Sequence, residues 1–447
     1  MTPAACYTGR VSRFAPFESL RYDTSVAGSL ATLTAPPYDV INVARRRGYV
    51  DANPYNIVHV DLPDEPGDGA LAGPDGGTLP LDRYAAAARR LDTWIASGVL
   101  RRHPPSYLVY EMRWDEAGRS ARIRGVVCAM RLAPWGTLVL PHEGVMPGPV
   151  SDRLRLLRAT RTHLSAVYGS VDVGSNELAV VLDATVARPP WSSLVDAEGV
   201  QHALWTLDAA TDFDRWLGGA PLVIADGHHR YTTALAYQQE RRDESKHDVA
   251  GRILTFMVDA GSERLDVLPY HRVVMRGELP GVALLGGGTD VATLGAALAA
   301  TRDDPPTVAT IRRREVGPPL AAAEPTTSPD GDVIYRIHAL AGGPPAVKRL
   351  HELWLDAMTP GATTAPGHGE TLRFTHDATD ADRLVRSGQA RGAYLLAPTS
   401  LAAIQRVVTG GERLPQKSTF FWPKPRTGMV MMPLDPALSR PPGPPVS

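Results

Sequence analysis

The chain has 447 residues, 43% of them hydrophobic and 21% charged, with 47 Lys plus Arg against 48 Asp plus Glu. A net charge of -1 sets up no global field for nucleic acid or an anionic membrane, and neither partner is expected. Two cysteines, Cys6 and Cys128, are too few for a disulfide framework or a thiolate zinc site, no stretch is apolar over the length of a membrane span, and the N-terminus lacks the apolar core of a signal peptide, so a cytoplasmic protein of two or three domains is expected.

In chain order, "ATLTAPPYDVINV" and "NPYNIVHVDLP" read as strands punctuated by turns. A Gly/Pro/Asp-rich loop covers residues 64–80. Asp82 then caps a helix through "RYAAAARRLDTWIAS", closed by Gly98. "SYLVYEMRW" and "ARIRGVVCAMRL" read as paired strands, and "TLVLPHEGVMPGPV" as a strand running into a loop. "SDRLRLLRATRTHL" reads as a helix with Ser151 as N-cap and with Leu154 and Leu157 on one face. The strand "SAVYGSV", a less regular stretch and the short helix "TDFDRWL" follow. Next comes "PLVIADGHHRYTTALAYQQE", a strand, a glycine turn and a helix from about His229 to Arg242, and then the strands "RILTFMVDA" and "LDVLPYHRVVM". Residues 303–332 read as a surface excursion, "DADRLVRSG" and "LAAIQRVVTGG" as helices around the strand "GAYLLAP", and the tail "RPPGPPVS" as disordered. Strands and helices mix without a regular βαβ rhythm, so the expected fold class is α+β, a mixed α/β arrangement. The expected partition is 1–135, 136–275, 276–435 and a tail at 436–447.

The chemistry concentrates at Asp226-Gly227-His228-His229-Arg230. A helix N-terminus carries partial positive charge and unpaired N–H groups, so cations there are disfavoured unless an anion occupies the turn. With a bound phosphate, backbone N–H groups, imidazoles and the guanidinium all become ligands. Asp226, at the strand end, is placed to hold Mg²⁺ or to orient a histidine. No Gly-Lys pair exists, so this is not a standard P-loop. A second constellation, "LPHEGVMPGPVSDRLRLL", puts His142 and Glu143 at a strand end, where a carboxylate can serve as general base or metal ligand.

Together these segments resemble the ParB/sulfiredoxin superfamily, and more narrowly its free-serine kinase branch. That resemblance implies ATP or ADP as phosphate donor, Mg²⁺, and a small hydroxylated substrate such as L-serine. It carries over to Glu143 as base, with His142 and Asp226 beside it in the catalytic set. Gly227, His228, His229 and Arg230 fall to the nucleotide phosphates. Asp152 and Arg153, of the "DRLRLL" helix, are expected at the substrate, and residues 136–275 as a ParB/sulfiredoxin-like core with an insertion near 170–215. Most of the chain also resembles the domain of unknown function 1015 family, through "APPYDVI", "NPYNIVHVDL", "PHE" with "DRLRLLRAT", "IADGHHRYTTAL", "LPYHRVV", "THDA" and "LPQKSTFFWPK". Val145 and Val150 depart from its pattern, standing where a threonine and a lysine are usual.

The chain has only four lysines, Lys246, Lys348, Lys417 and Lys424, and two of them fall in "LPQKSTFFWPKPRTG". Lys417, Ser418, Thr419 and Lys424 are therefore candidates for a second anion contact. His271 and Arg272 are placed with the substrate candidates. Tyr38-Asp39, Asn53, Tyr55, Asn56 and His376-Asp377 read as turn residues, and "FFWP" as core. Three functions remain open: a small-molecule kinase, a metal-dependent phosphatase or hydrolase using His142, Glu143, Asp226, His228 and His229, and a ParB-type nucleotide switch. Oligomeric state is not legible.

Overall fold

β-Branched and aromatic residues crowd the sequence between 100 and 131, and there the chain forms its two longest strands, Leu100–Glu116 and Arg119–Arg131, paired antiparallel. The structure, a computed structural model, describes residues 12–63, 70–72, 78–80, 82–116, 118–145, 147–241, 248–276, 284–288, 290–301, 306–313, 333–340, 342–343, 345–355 and 371–434. The architecture is mixed α/β, in two compact units that are both discontinuous in sequence. The first comprises Met1–Leu140, Pro149–Arg264 and Pro423–Ser447, the second Pro141–Gly148 and Leu265–Trp422.

The first unit is built on a ten-stranded sheet. From Arg119–Arg131 it runs through Arg252–Asp259, Val167–Val171 and Leu222–Asp226 to Val139–Pro141. The described pairings are antiparallel except that Val167–Val171 and Arg252–Asp259 are parallel. Val109, Val126, Cys128, Val167, Leu222, Ile224 and Ile253 bury one apolar face, and Tyr231 and Ala234 of the helix His228–Glu240 pack into the same cluster. The C-terminal segment completes this unit. Met431 bridges Leu20, Thr427 bridges Ala35 and Met432 pairs with His163. The buried Arg426 guanidinium donates to Thr34 Oγ1 at 2.8 Å and to the Thr34 carbonyl at 2.7 Å.

The second unit holds a six-stranded antiparallel sheet in the order Leu284–Gly288, Val333–Ala339, Thr307–Arg313, Gly392–Leu396, His271–Val274, Leu372–Thr375. Leu294 and Leu298 of one helix and Ala381, Leu384 and Val385 of another cover it. Asp377 caps the latter by accepting from Thr379 N–H at 2.8 Å, the turn role expected of it. Asp266–Pro269 pairs separately with Thr419–Trp422, where Phe420 and Phe421 are buried as core.

Several elements depart from the sequence expectation. "ATLTAPPYDVINV" and "NPYNIVHVDLP" are not strands. They form the helical turns Leu30–Leu33 and Val58–Asp61 and the 3₁₀ turn Tyr38–Val40. Short β-branched runs do not distinguish a strand from a buried helical turn, and local side-chain bonds decide. Ser29 accepts from Ala31 N–H, and Asn56 accepts from Val58 N–H at 2.9 Å. The helix expected from Ser151 spans Pro147–Thr160, so Ser151 is not its cap. Pro147 and Pro149 sit in the first turn, where a missing N–H costs nothing. The stretch read as irregular after residue 171 contains the helix Asn176–Val186, capped by Ser175, and the hairpin Ser192–Val195 with Gln201–Leu207. That hairpin extends the sheet beside Leu100–Glu116. The helix Arg83–Ala96 keeps its expected Asp82 cap. Within 64–80, Ala70–Ala72 pairs with Thr78–Pro80. Of the expected excursion at 303–332, Thr307–Arg313 is a strand of the sheet, while 314–332 and the tail lie outside the described residues.

Gly125 lies where two strands of the first unit press together. A Cβ there would strike the Met257 carbonyl oxygen and come within 2.7 Å of the Phe256 ring. Gly125→Ala is expected to lower stability by ~1–3 kcal/mol through overpacking, read as a drop in the urea midpoint.

Candidate functional site

The first unit carries the phosphate-loop candidates. Leu222–Asp226 pairs with Val167–Val171, and the register shifts between Ile224 and Asp226, an irregularity that re-aims the last strand residue. Gly227 follows in the left-handed region, φ 97°, and opens the 13-residue helix His228–Glu240 without a side-chain cap. A Cβ at Gly227 would sit 3.0 Å from Arg230 Nε and Nη2, so only glycine lets the guanidinium fold back onto the strand end. Arg230 donates to Asp226 Oδ2 at 2.5 Å, to Ser165 Oγ at 2.9 Å and to the Ala166 carbonyl at 2.6 Å. Lys424 Nζ donates to Asp226 Oδ1 and lies 3.4 Å from Asp39 Oδ2. The Lys424 side chain is only 7% exposed, so this ammonium is largely withdrawn from water. His228 is buried, its ring stacked on Trp135 with centroids 6.2 Å apart, and His229 is half-buried.

Asp152 and Arg153 belong to a buried ion network of the same unit. Arg153 donates to Asp61 Oδ1 at 3.0 Å and to Asp152 Oδ2 at 2.6 Å, and its guanidinium lies 4.4 Å from the centre of the Tyr38 ring. Asp152 also accepts from Arg83 and from the Tyr84 hydroxyl at 2.8 Å. Burial opposes the Asp152 charge, yet Arg153 and these donors hold its carboxyl below the usual range. Burial raises the Asp61 carboxyl despite Arg153. A cavity of about 50 Å³ lies among Asp61, Arg153, Thr162, Ser165, Arg230 and Thr233, roomy enough for an ordered water. The Val150 backbone carbonyl accepts from Thr233 Oγ1 at 3.3 Å.

The second unit carries the remaining candidates. The segment Pro141–Gly148 lies along the chain at 414–421. Leu414 N–H donates to the His142 carbonyl at 2.8 Å, and Ser418 N–H donates to Glu143 Oε2 at 3.2 Å. His142 is fully buried, with Nε2 2.6 Å from Thr419 Oγ1 and its ring edge-on to Phe421. Lys417 adopts φ 55°, an uncommon conformation for a residue with a side chain, and its ammonium sits 5.3 Å from the Tyr270 ring centre. Arg272 is fully buried and donates to the carbonyls of Tyr270, Gln416 and Lys417 and to His351. Burial pushes its guanidinium down to about 9. The His271 ring accepts from Leu396 N–H at 3.2 Å. His271 and Arg272, read from sequence as substrate contacts, are thus committed to the interior of this unit.

Asp226, Gly227, His228, His229, Arg230, Asp152 and Arg153 therefore share the first unit, and His142, Glu143, His271, Arg272, Lys417, Ser418 and Thr419 the second. Lys424, grouped with Lys417 by its motif, belongs to the first unit and meets Asp226. Asp39, Asp61 and Ser165 carried no sequence signal of their role, being a turn residue, a helix-end residue and a strand neighbour. Both oxygens of Asp226, the expected Mg²⁺ ligand, are engaged by cations, Oδ2 by Arg230 and Oδ1 by Lys424. Among the described residues no group of three or more His, Cys, Asp or Glu is arranged to hold a metal ion. No helix among them is long and apolar enough to cross a membrane.

The sequence pattern of the family described as "Protein of unknown function (DUF1015)" matches residues 14–285. No curated protein matches the chain. Among solved structures it is similar to a free serine kinase in complex with AMP, at 12% identity and TM-score 0.34, over 64% of this chain and 83% of that one. It is also similar to SbnI with C-terminal truncation from Staphylococcus aureus, at 11% and 0.33 over 67% and 85%. A conserved hypothetical protein from Pyrococcus furiosus gives 12% and 0.31 over 64% and 87%. Likenesses of this strength do not assign an activity.

Two predictions test the local physics. Gly227→Ala combines a strained φ with a clash on Arg230, and is expected to lower the melting temperature with a loss of ~1–3 kcal/mol. Burial pushes His163 and His271 each down to about 4, so both are neutral in the fold, while the unfolded chain takes up protons below about 6.5. Their stabilising contribution is fully present above that pH and is lost as pH falls through about 4. Melting temperature measured from pH 7.5 to 4.5 should fall, and His163→Gln with His271→Gln should flatten the slope.

Proposed function

This chain belongs to the DUF1015 family, and from that premise we propose that it is a nucleotide-dependent kinase that phosphorylates the hydroxyl of a small molecule, of which a free hydroxy amino acid such as L-serine is the leading candidate. The observation that carries the reading is the strand–glycine–helix turn at Asp226–Arg230. A 13-residue helix begins there with no side-chain cap and no acidic residue in its first turn, while Arg230 and Lys424 are both drawn to the strand end. Leading N–H groups and two cations are what an anionic phosphate requires. Phosphoryl transfer asks a protein chiefly to position its reactants and neutralise charge, and this turn is suited to that task.

In this reading ATP or ADP is the donor, and its phosphates engage the turn from Gly227 to Arg230. Glu143 takes the proton of the acceptor hydroxyl, the role carried over from the free-serine kinase resemblance. The Ser418 N–H bond to Glu143 Oε2 supports it, because a backbone donor fixes the position of a carboxylate that has to meet its proton. Asp152, whose charge Arg153 favours, stands on the substrate side in this reading, a role also carried over from the resemblance.

Phosphorus NMR of the protein with nucleoside di- and triphosphates, hydroxy amino acids and Mg²⁺ tests this directly. A new phosphoester resonance is the expected result, whereas release of inorganic phosphate alone would indicate a hydrolase and an unchanged spectrum would sink the enzyme reading. Glu143→Gln is expected to cut turnover at least ~100-fold while leaving nucleotide affinity within about threefold.

A further inference from the structure

Asp226 is the one carboxylate of the phosphate-loop motif, and both of its oxygens are engaged by cations, Oδ1 by Lys424 and Oδ2 by Arg230. A Mg²⁺ ligated there would sit beside both an ammonium and a guanidinium, which like-charge repulsion opposes. The two cations are also held differently. Arg230 is anchored by Ser165 and Ala166 as well as by Asp226, so its fork is fixed. Lys424 is a compact ammonium on a flexible stem, shared between Asp226 and the looser Asp39 at 3.4 Å. It is one of four lysines among 47 basic residues.

We propose that Lys424, positioned by Asp226 and Asp39, is a phosphate-binding residue of the nucleotide site, and that Asp226 is the counter-ion latch of Lys424 and Arg230 rather than a magnesium ligand. This rests on the nucleotide reading above and names the charge that serves it. Lys424 turns from the carboxylates to a phosphate oxygen, while Arg230 stays as the fixed wall of the turn. With two carboxylates against two cations the cluster is close to neutral before the ligand arrives, which lets a buried ammonium persist until phosphate takes over its pairing.

Calorimetric titration of the full chain with ADP, in excess EDTA and in Mg²⁺, tests it. Wild-type affinity is expected to agree within about threefold between the two conditions. Lys424→Met should weaken ADP at least about tenfold in both, as loss of a charged hydrogen bond implies. Lys424→Arg should restore less than half of the lost binding free energy, and Asp226→Asn should bind ADP as well as or better than wild type. Melting curves identify any variant that fails to fold, and the wild-type comparison with and without metal needs no variant. A wild type that loses affinity more than about tenfold in EDTA, together with Asp226→Asn that loses only the metal-dependent part, would make Asp226 a metal ligand and overturn the proposal. So would a folded Lys424→Met with unchanged affinity. If the wild type binds no ADP in either condition, the nucleotide reading fails and this proposal with it; if it binds but Lys424 is silent, only the proposal fails.

Discussion

A single carboxylate held between two cations organises the turn around Gly227. Asp226 ends a strand, Arg230 stands in the first turn of the next helix, and Lys424 arrives from almost two hundred residues further along. The side chains of Asp226, Arg230 and Lys424 are 13%, 12% and 7% exposed, so their attraction acts with less screening than at the surface. Breaking one partner of such a group strands a buried charge, which costs far more than losing a surface pair. The turn is therefore fixed before any ligand arrives, and Gly227 supplies the backbone freedom that makes the contact possible.

The second unit solves a related problem chiefly with backbone carbonyls. Arg272 is wholly buried, and its hydrogen bonds go to three backbone carbonyls and a histidine. A cation so placed is costly, consistent with its depressed proton affinity. In exchange it pins the carbonyls of Gln416 and Lys417 in the same turn whose next N–H meets Glu143. The uncommon φ of Lys417 is held at that position. The arginine acts as an internal strut for a strained turn, a role its charge alone would not suggest.

The sequence was most legible where local chemistry and burial agree. The long strands, the Asp82 cap and the strand–glycine–helix motif all follow from period and cap residues, and the structure has each of them. It was least legible where short apolar runs fold as single helical turns, as at Val58–Asp61, because four residues do not define a period. Composition identified the scarce lysines as unusual but could not separate Lys417 from Lys424, because the chain passes from one unit to the other between them. The "HR" of "LPYHRVV" looked like a substrate contact because polar residues near a strand end often are. Its burial is a product of the sheet His271–Val274 joins, which lies in residues far away in sequence. The pairing of Asp39, read only as a turn residue, with Lys424 and that of Ser165 with Arg230 could not be read from motifs, since what folds against these residues creates them.

The placement of Pro423–Leu434 bears on how the protein is made. This stretch supplies Lys424, Arg426 and the bridges of Thr427 and Met431 to a unit whose other strands were synthesised long before. On the ribosome the sheet around Asp226 has to wait, with a gap along Leu20, Ala35 and His163, while some hundred and sixty residues of the other unit are translated. A nascent chain halted just short of residue 423 would leave Leu20, Ala35 and His163 without these partners.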